Sequence, residues 1–362
     1  MPGVAKQACT SSPRSSRESM SQRTRIGQSY HHARRLGAIL AVLLGLVPTL
    51  ALAQHPGSVF DGATPQARSI SDYFVLVLIL AAVVFVIVEG LLVYVLLRFR
   101  ARPGDGRPRP VFEKQHLEIT WTVIPILLVA LLFVLMLPVM GAAEDAPPDA
   151  YTVTAIGHQF WWEFRYPEQN AIAANEMHIP VGEKIRLRLQ SADVIHSFWI
   201  PRLNGKLDLI PGQTNEWVLE ADTPGEYMGQ CAELCGVQHA WMLLRVFAQP
   251  RPEFDAWVAQ QAQPAAAPTD PTAQQGAEIF RQQACGNCHT ISGSHDPGGV
   301  APNLTHVGSR TTLAAGALTN TAENMRRWIH NPQDIKPGAN MPTFKLSDAE
   351  LNAVVTYLEG LK

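Results

Sequence analysis

The stretch Gly229-Gln230-Cys231-Ala232-Glu233-Leu234-Cys235-Gly236-Val237-Gln238-His239-Ala240-Trp241-Met242 places two cysteines, a histidine and a methionine within twelve residues. Thiolate, imidazole and thioether are soft or borderline donors, a set that suits copper better than magnesium or calcium. One Cys, one His and a weak Met would describe a mononuclear copper site. Here the cysteine is doubled, and His196 supplies a second imidazole upstream. Two thiolates bridging two copper ions, with one His on each, make a compact binuclear centre that shares an electron and moves little on reduction. The competing reading of Cys231 and Cys235 is a disulfide in an exported domain.

The pattern C-x-E-x-C-x3-H-x2-M, preceded by Asp193-Val194-Ile195-His196-Ser197, resembles the binuclear copper (CuA) site of the cytochrome c oxidase subunit II family. The resemblance runs from about residue 70 to about residue 250. It implies that His196, Cys231, Cys235, His239 and Met242 bind copper, with Glu233 adding its backbone carbonyl. It also implies that the Glu233 carboxylate faces the catalytic subunit, near a magnesium site shared across that interface.

Composition bounds the rest. The 362 residues allow two or three domains, and a formal charge of −2 implies no nucleic-acid partner. Apolar residues make up 47% and charged residues 17%, and the apolar ones are bunched, which points to membrane segments. Four of the five cysteines form two close pairs, Cys231/Cys235 and Cys285/Cys288, beside histidines; Cys9 stands alone. That arrangement suggests metal or haem chemistry more than a disulfide framework.

Residues 1–53 read as a signal-peptide region. A basic, Ser-rich stretch ends in Arg34-Arg35, then comes the apolar run Leu36–Leu52 and the small-x-small site Ala51-Leu52-Ala53. Cleavage after Ala53 leaves Gln54 as the new N-terminus, and a start at Met20 would shorten the n-region to ordinary size. The rival is an uncleaved anchor.

Residues 54–141 read as a transmembrane hairpin with helices at about 72–97 and 117–140. The first apolar run, Tyr73–Leu97, reaches about 37 Å as a helix, enough to cross a bilayer. Glu89 inside it should face protein or water. Pro125 is expected to kink the second helix. Between the runs lie Arg98, Arg100, Arg102, Arg107, Arg109 and Lys114 against Asp105 and Glu113, which places this loop in the cytoplasm. Both ends of the hairpin then face outward, as the export signal also requires. Glu118 opens the second helix in an E-x2-W-T-x2-P segment. A solvated carboxylate at a helix N-terminus is the plain reading. The family resemblance makes it a proton-path candidate at the mouth of the catalytic subunit.

Residues 142–250 switch to short alternating stretches: Tyr151–Ala155, Met177–Ile179, Lys184–Leu189, Glu216–Leu219 and Leu243–Phe247. Turns at Pro180-Val181-Gly182, Pro211-Gly212 and Pro224-Gly225 separate them. This spacing suggests a small all-β sandwich or barrel, and the resemblance implies a cupredoxin Greek-key barrel. The aromatic stretch Gly157-His158-Gln159-Phe160-Trp161-Trp162 is similar to the family's run over the copper centre. A Trp usually follows G-H-Q there and passes electrons from a soluble cytochrome. Phe160 stands at that position, which puts direct entry from a free cytochrome c in doubt, while Trp161 and Trp162 suit packing near copper.

Residues 251–272 read as a Pro/Ala/Gln tether and not a packed element. Residues 273–362 carry Ala277-Glu278-Ile279-Phe280 and then Cys285-Gly286-Asn287-Cys288-His289, the C-x-x-C-H signature of c-type haem attachment. Cys285 and Cys288 would bond the haem, and His289 would ligate the iron. Helices are expected from Gln275 to about Gln283, at Thr321–His330 and at Ser347–Leu361. This order resembles all-α class I cytochrome c. Met341, before Pro342, is the candidate distal ligand, with His295 and His306 as alternatives that would lower the potential. Met325 is expected in the core, and Trp328 and Tyr357 against the helices. Seven basic and seven acidic residues from Ala273 onward make long-range steering of a charged partner modest.

Together these parts are redox carriers and anchors with no oxygen-reducing site of their own. The expected role is the electron-entry subunit of a caa-type oxidase in the bacterial cell membrane, multi-pass, with copper and haem domains on the periplasmic side. The resemblance implies subunits I and III, membrane lipid, and cytochrome c or another periplasmic donor as partners. The alternatives are the electron-entry subunit of another terminal reductase of the nitric oxide reductase type, and a copper-delivery or storage protein.

Overall fold

The structure, a computed structural model, describes residues 57–101, 104, 106, 110, 113–141, 146–293 and 298–362. The export segment with Cys9, Met20 and Gln54, the loop residues Arg102, Asp105, Arg107 and Arg109, and His295 lie outside the described residues.

Two long apolar helices come first, α1 at Pro65–Arg98 and α2 at Gln115–Gly141. Each has the length and hydropathy to cross a membrane, and Tyr73 donates a hydrogen bond to the Leu132 carbonyl between them (3.1 Å). α1 starts earlier than the apolar run predicts. Thr64 caps it by accepting from the Ala67 amide, and Pro65 follows at the first helical position, a pairing that satisfies orphan donors and presets φ. This first turn is tied to the β domain. Thr64 Oγ1 donates to the Leu203 carbonyl (2.6 Å), and Arg68 pairs with Asp222 (2.8 Å). Pro125 and Pro138 both lie within α2.

Ten strands then form two five-stranded sheets around one core: β1 Thr152–His158, β2 Trp161–Tyr166, β3 Ala171–Ala174, β4 Glu176–Pro180, β5 Ile185–Ser191, β6 His196–Trp199, β7 Lys206–Leu209, β8 Asn215–Leu219, β9 Gly225–Cys231 and β10 Leu243–Gln249. The sheet orders are β3-β2-β1-β5-β8 and β4-β10-β9-β6-β7. The alternation in Ile185–Leu189 sends Ile185, Leu187 and Leu189 inward, each fully buried. The aromatic stretch is itself a strand. In β2, Trp162, Phe164 and Tyr166 enter the core, because successive side chains face opposite sides of a sheet.

The segment expected to be an unpacked tether begins as a helix, α3 at Arg251–Gln261. Phe254 and Val258 are buried in the β core, and Trp257 packs against it. Apolar residues at i, i+3 and i+4 define one helical face, so this half of the segment belongs to the copper-ligand domain. The remainder is also held: the Ala265 amide donates to Ser292 O (2.9 Å).

The C-terminal domain holds α4 Pro271–Gln282, a small hairpin of β11 Thr312–Leu313 and β12 Leu318–Thr319, α5 Ala322–His330, the short α6 Pro332–Ile335, and α7 Asp348–Glu359. α4 crosses α7 closely at Gly276, where an added Cβ would sit 2.0 Å from the Ala353 carbonyl oxygen. Phe280 meets Tyr357 edge-on (5.9 Å), and Met325 is buried in the core as expected. A capping box of Ser347 and Glu350 starts α7.

Candidate metal and haem centres

The barrel brings the copper-ligand candidates together. β6 pairs with β9 so that Phe198 lies opposite Cys231. The Cys231 amide donates to the Met242 carbonyl (3.0 Å), and the Ala232 amide to the Ser197 carbonyl (2.9 Å). These bonds fasten the Cys231–Met242 loop against the strand that carries His196. Gly157 makes room for that histidine: a Cβ there would lie 2.7 Å from the His196 ring.

His196, Cys231 and Cys235 offer donor atoms within 4.8 Å of one another. Cys231 Sγ and Cys235 Sγ lie 3.8 Å apart, far outside the ~2.05 Å of a disulfide. His196 Nδ1 lies 3.9 Å from Cys231 Sγ, and His239 Nδ1 lies 3.7 Å from Cys235 Sγ. The two imidazoles therefore address different sulfurs. Met242 Sδ is 3.8 Å from Cys235 Sγ, and the Glu233 carbonyl oxygen is 3.2 Å from Cys231 Sγ. The Glu233 side chain is exposed, whereas His196 and Met242 are fully buried. This donor set of two sulfurs, two imidazoles, a thioether and a carbonyl fits a soft metal pair.

The hydrogen bond between the two sulfurs favours a thiolate at Cys231, holding its pKa below the ordinary thiol value, and pushes the Cys235 thiol up. Burial opposes protonation of His196, but hydrogen bonds to Cys231 and Asp193 outweigh it and raise its pKa.

Three positioning contacts escaped the sequence reading. Asp193 Oδ1 bonds His196 Nε2 (2.8 Å), leaving Nδ1 for the sulfur side; a carboxylate behind a ligating imidazole fixes tautomer and ring orientation. Asp193 Oδ2 also accepts from the Gln159 amide (2.7 Å). The Gln159 side chain donates to the Cys235 carbonyl (2.6 Å). The signals were present, an Asp three residues before the His and a Gly-His-Gln run; the Asp193–His196 contact is local, whereas the two Gln159 contacts span 34 and 76 positions.

The aromatic patch divides. Trp162 lies beneath His196, with ring centroids 6.1 Å apart. Phe160 packs against the barrel core beside Gly236. Trp161 stacks on His158 (4.2 Å) and is buried with Ala174 and Ala315, the last from the C-terminal domain.

In that domain Cys285, Cys288 and His289 follow α4 on one short turn. His289 Nδ1 bonds the Pro302 carbonyl (2.7 Å), which leaves Nε2 for a ligand. Burial lowers the His289 pKa, partly offset by that bond, and favours the neutral ring that metals bind. Met341 lies half-buried against the same core as Cys285. His306 Nε2 is engaged by the Gln263 carbonyl (3.1 Å), so this ring is committed to the interdomain segment. Trp328 is half-buried. Glu118 sits exposed in the first turn of α2, and Glu89 is exposed on α1.

Residues 54–139 match the family described as cytochrome C oxidase subunit II, transmembrane domain, residues 171–248 its periplasmic domain, and residues 273–362 the cytochrome c family. The chain is 39% identical to cytochrome c oxidase subunit 2 of Alkalihalophilus pseudofirmus over 327 residues, covering 88% of this chain and 95% of that one. It is 35% identical to cytochrome c oxidase subunit 2 of Bacillus subtilis, covering 89% and 97%. The crystal structure of the periplasmic domain of cytochrome oxidase subunit II of Bradyrhizobium japonicum is 34% identical; it covers 32% of this chain and 96% of that one, with a TM-score of 0.31.

Proposed function

The chain belongs to the cytochrome c oxidase subunit II family, and we propose that it is the electron-entry subunit of a caa-type aerobic oxidase. Electrons would enter at a covalent haem c, pass to a binuclear CuA centre, and leave for haem a of subunit I, where oxygen is reduced to water with proton pumping. The observation that carries this reading is the division of the imidazoles, His196 facing Cys231 and His239 facing Cys235. One ion would need no such division, whereas a pair of ions held by both sulfurs would.

His196, Cys231, Cys235, His239, Met242 and the Glu233 carbonyl would hold the copper pair. Cys285, Cys288, His289 and Met341 would hold the haem. Bound, these groups supply one-electron carriers. The chain's own part is to hold ligands still: Asp193 orients His196, the barrel fixes both copper loops, and Pro302 orients His289. Joining donor and acceptor in one chain replaces a diffusive encounter by a high effective concentration. The exposed Glu233 carboxylate suits a magnesium site shared with subunit I, and Glu118 suits the mouth of its proton path. The remaining partners in this reading are subunit III and a periplasmic donor such as cytochrome c, at the bacterial inner membrane. The anchoring of α1's outer turn on the β domain supports a periplasmic copper domain.

The test is metal content and electron spin resonance of the intact, haem-matured, copper-loaded protein. Two coppers sharing one unpaired electron beside one covalent haem are expected. One copper with localised spin would overturn the reading in favour of a copper-handling role.

A further inference from the structure

Beyond the segment that joins them, the two domains meet through buried polar groups. Glu176 opens β4, an edge strand of the second sheet, and is 5% exposed. Its carboxylate accepts from four donors of the haem domain. The Thr311 amide bonds Oε1 and Oε2 (3.0 and 3.1 Å), and the Thr311 hydroxyl bonds Oε1 (2.7 Å). The Thr312 amide and hydroxyl each bond Oε1 at 2.8 Å. Half-buried Arg310 adds charge attraction. A carboxylate is tolerated in such a place only when its lone pairs are met by charge or hydrogen bonds, and bonds to an ionised acceptor are about twice as strong as neutral ones.

The hairpin that these threonines begin then lies on the copper domain. The Leu243 amide donates to the Ala315 carbonyl (3.1 Å), and Ala315 covers Trp161. Further along, Lys336 Nζ is buried and donates to the carbonyls of Trp241 (3.0 Å) and Ala314 (3.2 Å). Asn340 Nδ2 donates to the Gln159 carbonyl (2.9 Å), and the Gln159 side chain reaches the Cys235 carbonyl. A hydrogen-bonded chain thus runs from the residue beside Met341 to a copper-ligand cysteine. The same contacts cover part of the Gly157–Trp161 turn.

We propose that Glu176 is a positioning residue that clamps the haem domain to the copper domain in one register, holding the Asn340–Gln159–Cys235 chain closed. The clamp stands on geometry alone; its use in electron transfer rests on the function proposed above.

The test compares wild type with Glu176→Gln and, from the other side of the clamp, Thr312→Val in the intact membrane complex. Amide exchange at 311–319 and 336–341 should rise about tenfold or more in both variants, since each leaves buried groups without their charged partner or donor. Copper spin resonance and haem absorption should not change. Haem-to-copper electron transfer, followed after a light-triggered reduction, should slow and become dependent on solvent viscosity. Unchanged exchange in both variants overturns the clamp. Raised exchange with an unaltered, viscosity-independent rate overturns its positioning role. Raised exchange in a protein whose wild type lacks the shared-spin copper signal upholds the clamp and defeats the functional reading instead.

Discussion

The copper domain and the haem domain build their sites in opposite ways. In the copper domain the core closes on itself: Trp162, Phe164, Phe198, Leu187 and Leu189 have no exposure, and the candidate ligands sit at the ends of β6 and β9 and on the loop that follows β9. Four donor contacts of 3.7 to 3.9 Å are already in place. In the haem domain the corresponding residues stand at the edge of a smaller core. Cys285 and Met341 are half-buried and Cys288 is exposed. With copper held beside a large core and haem at the margin of a smaller one, we expect copper to be an addition to a finished fold and haem to be part of what the smaller domain packs around. The difference teaches that the two cofactors should weigh very differently on stability.

The largest expected effect breaks or upholds that contrast directly. Replacing Cys285 and Cys288 together by Ser should abolish haem attachment and, with it, protection from amide exchange throughout α4, α5 and α7. Cys231→Ser, a near-isosteric change at the last residue of β9, should abolish the copper signal yet leave exchange in β1, β2, β5 and β9 within about 1 kcal/mol of wild type. A barrel that opens on losing copper would refute the comparison.

How far the sequence carried the reading follows the same division. Metal chemistry demands particular residue types at fixed spacing, so the Cys231–Met242 loop, His196 and the Cys285–His289 turn stand out as candidate ligands in the sequence alone, and the barrel brings the first two together. Membrane spans were legible because a bilayer demands about twenty apolar residues in a row. Contacts made by residues far apart were not. Glu176 meets Thr311 across 135 positions, and no local pattern announces such a pair. The aromatic stretch could be placed near copper, but its facing needed β2's register, which sends Trp162 inward and Trp161 to the haem domain. Residues 251–272 were misjudged because Ala, Gln and Pro dominate the second half. The first half carried its own signal in Phe254, Trp257 and Val258.

That helix offers the next test, because it assigns chain between the domains to the copper side. Phe254 is fully buried and meets Tyr151 edge-on (5.2 Å). Phe254→Ala should destabilise the copper domain by about 3–5 kcal/mol, the usual cost of emptying a core aromatic site. Exchange in α4 and α7 should stay as in wild type. If α3 were only a tether, denaturation of the copper domain would not respond at all.

The smallest effect concerns pH and the same helix. His178 on β4 is sandwiched between Phe247 (4.7 Å) and Trp257 of α3 (3.8 Å), with Nδ1 bonded to the Gln249 side chain (2.8 Å). Burial pulls its pKa from 6.5 down to about 4. The folded ring stays neutral down to that value, while the unfolded one gains a proton near 6.5. Between these values the unfolded state binds more protons, so stability is complete above pH 6.5 and falls as the pH drops toward 4. The loss should reach at most about 3 kcal/mol. It should appear in denaturant unfolding of the copper domain and vanish in His178→Phe, which keeps the stack without the titrating group. The haem domain has no share in this stack, so its own unfolding should trace the same curve in both proteins. A pH response in the haem domain that disappears with His178 would mean that the two cores are one, and the contrast between them would have to be given up.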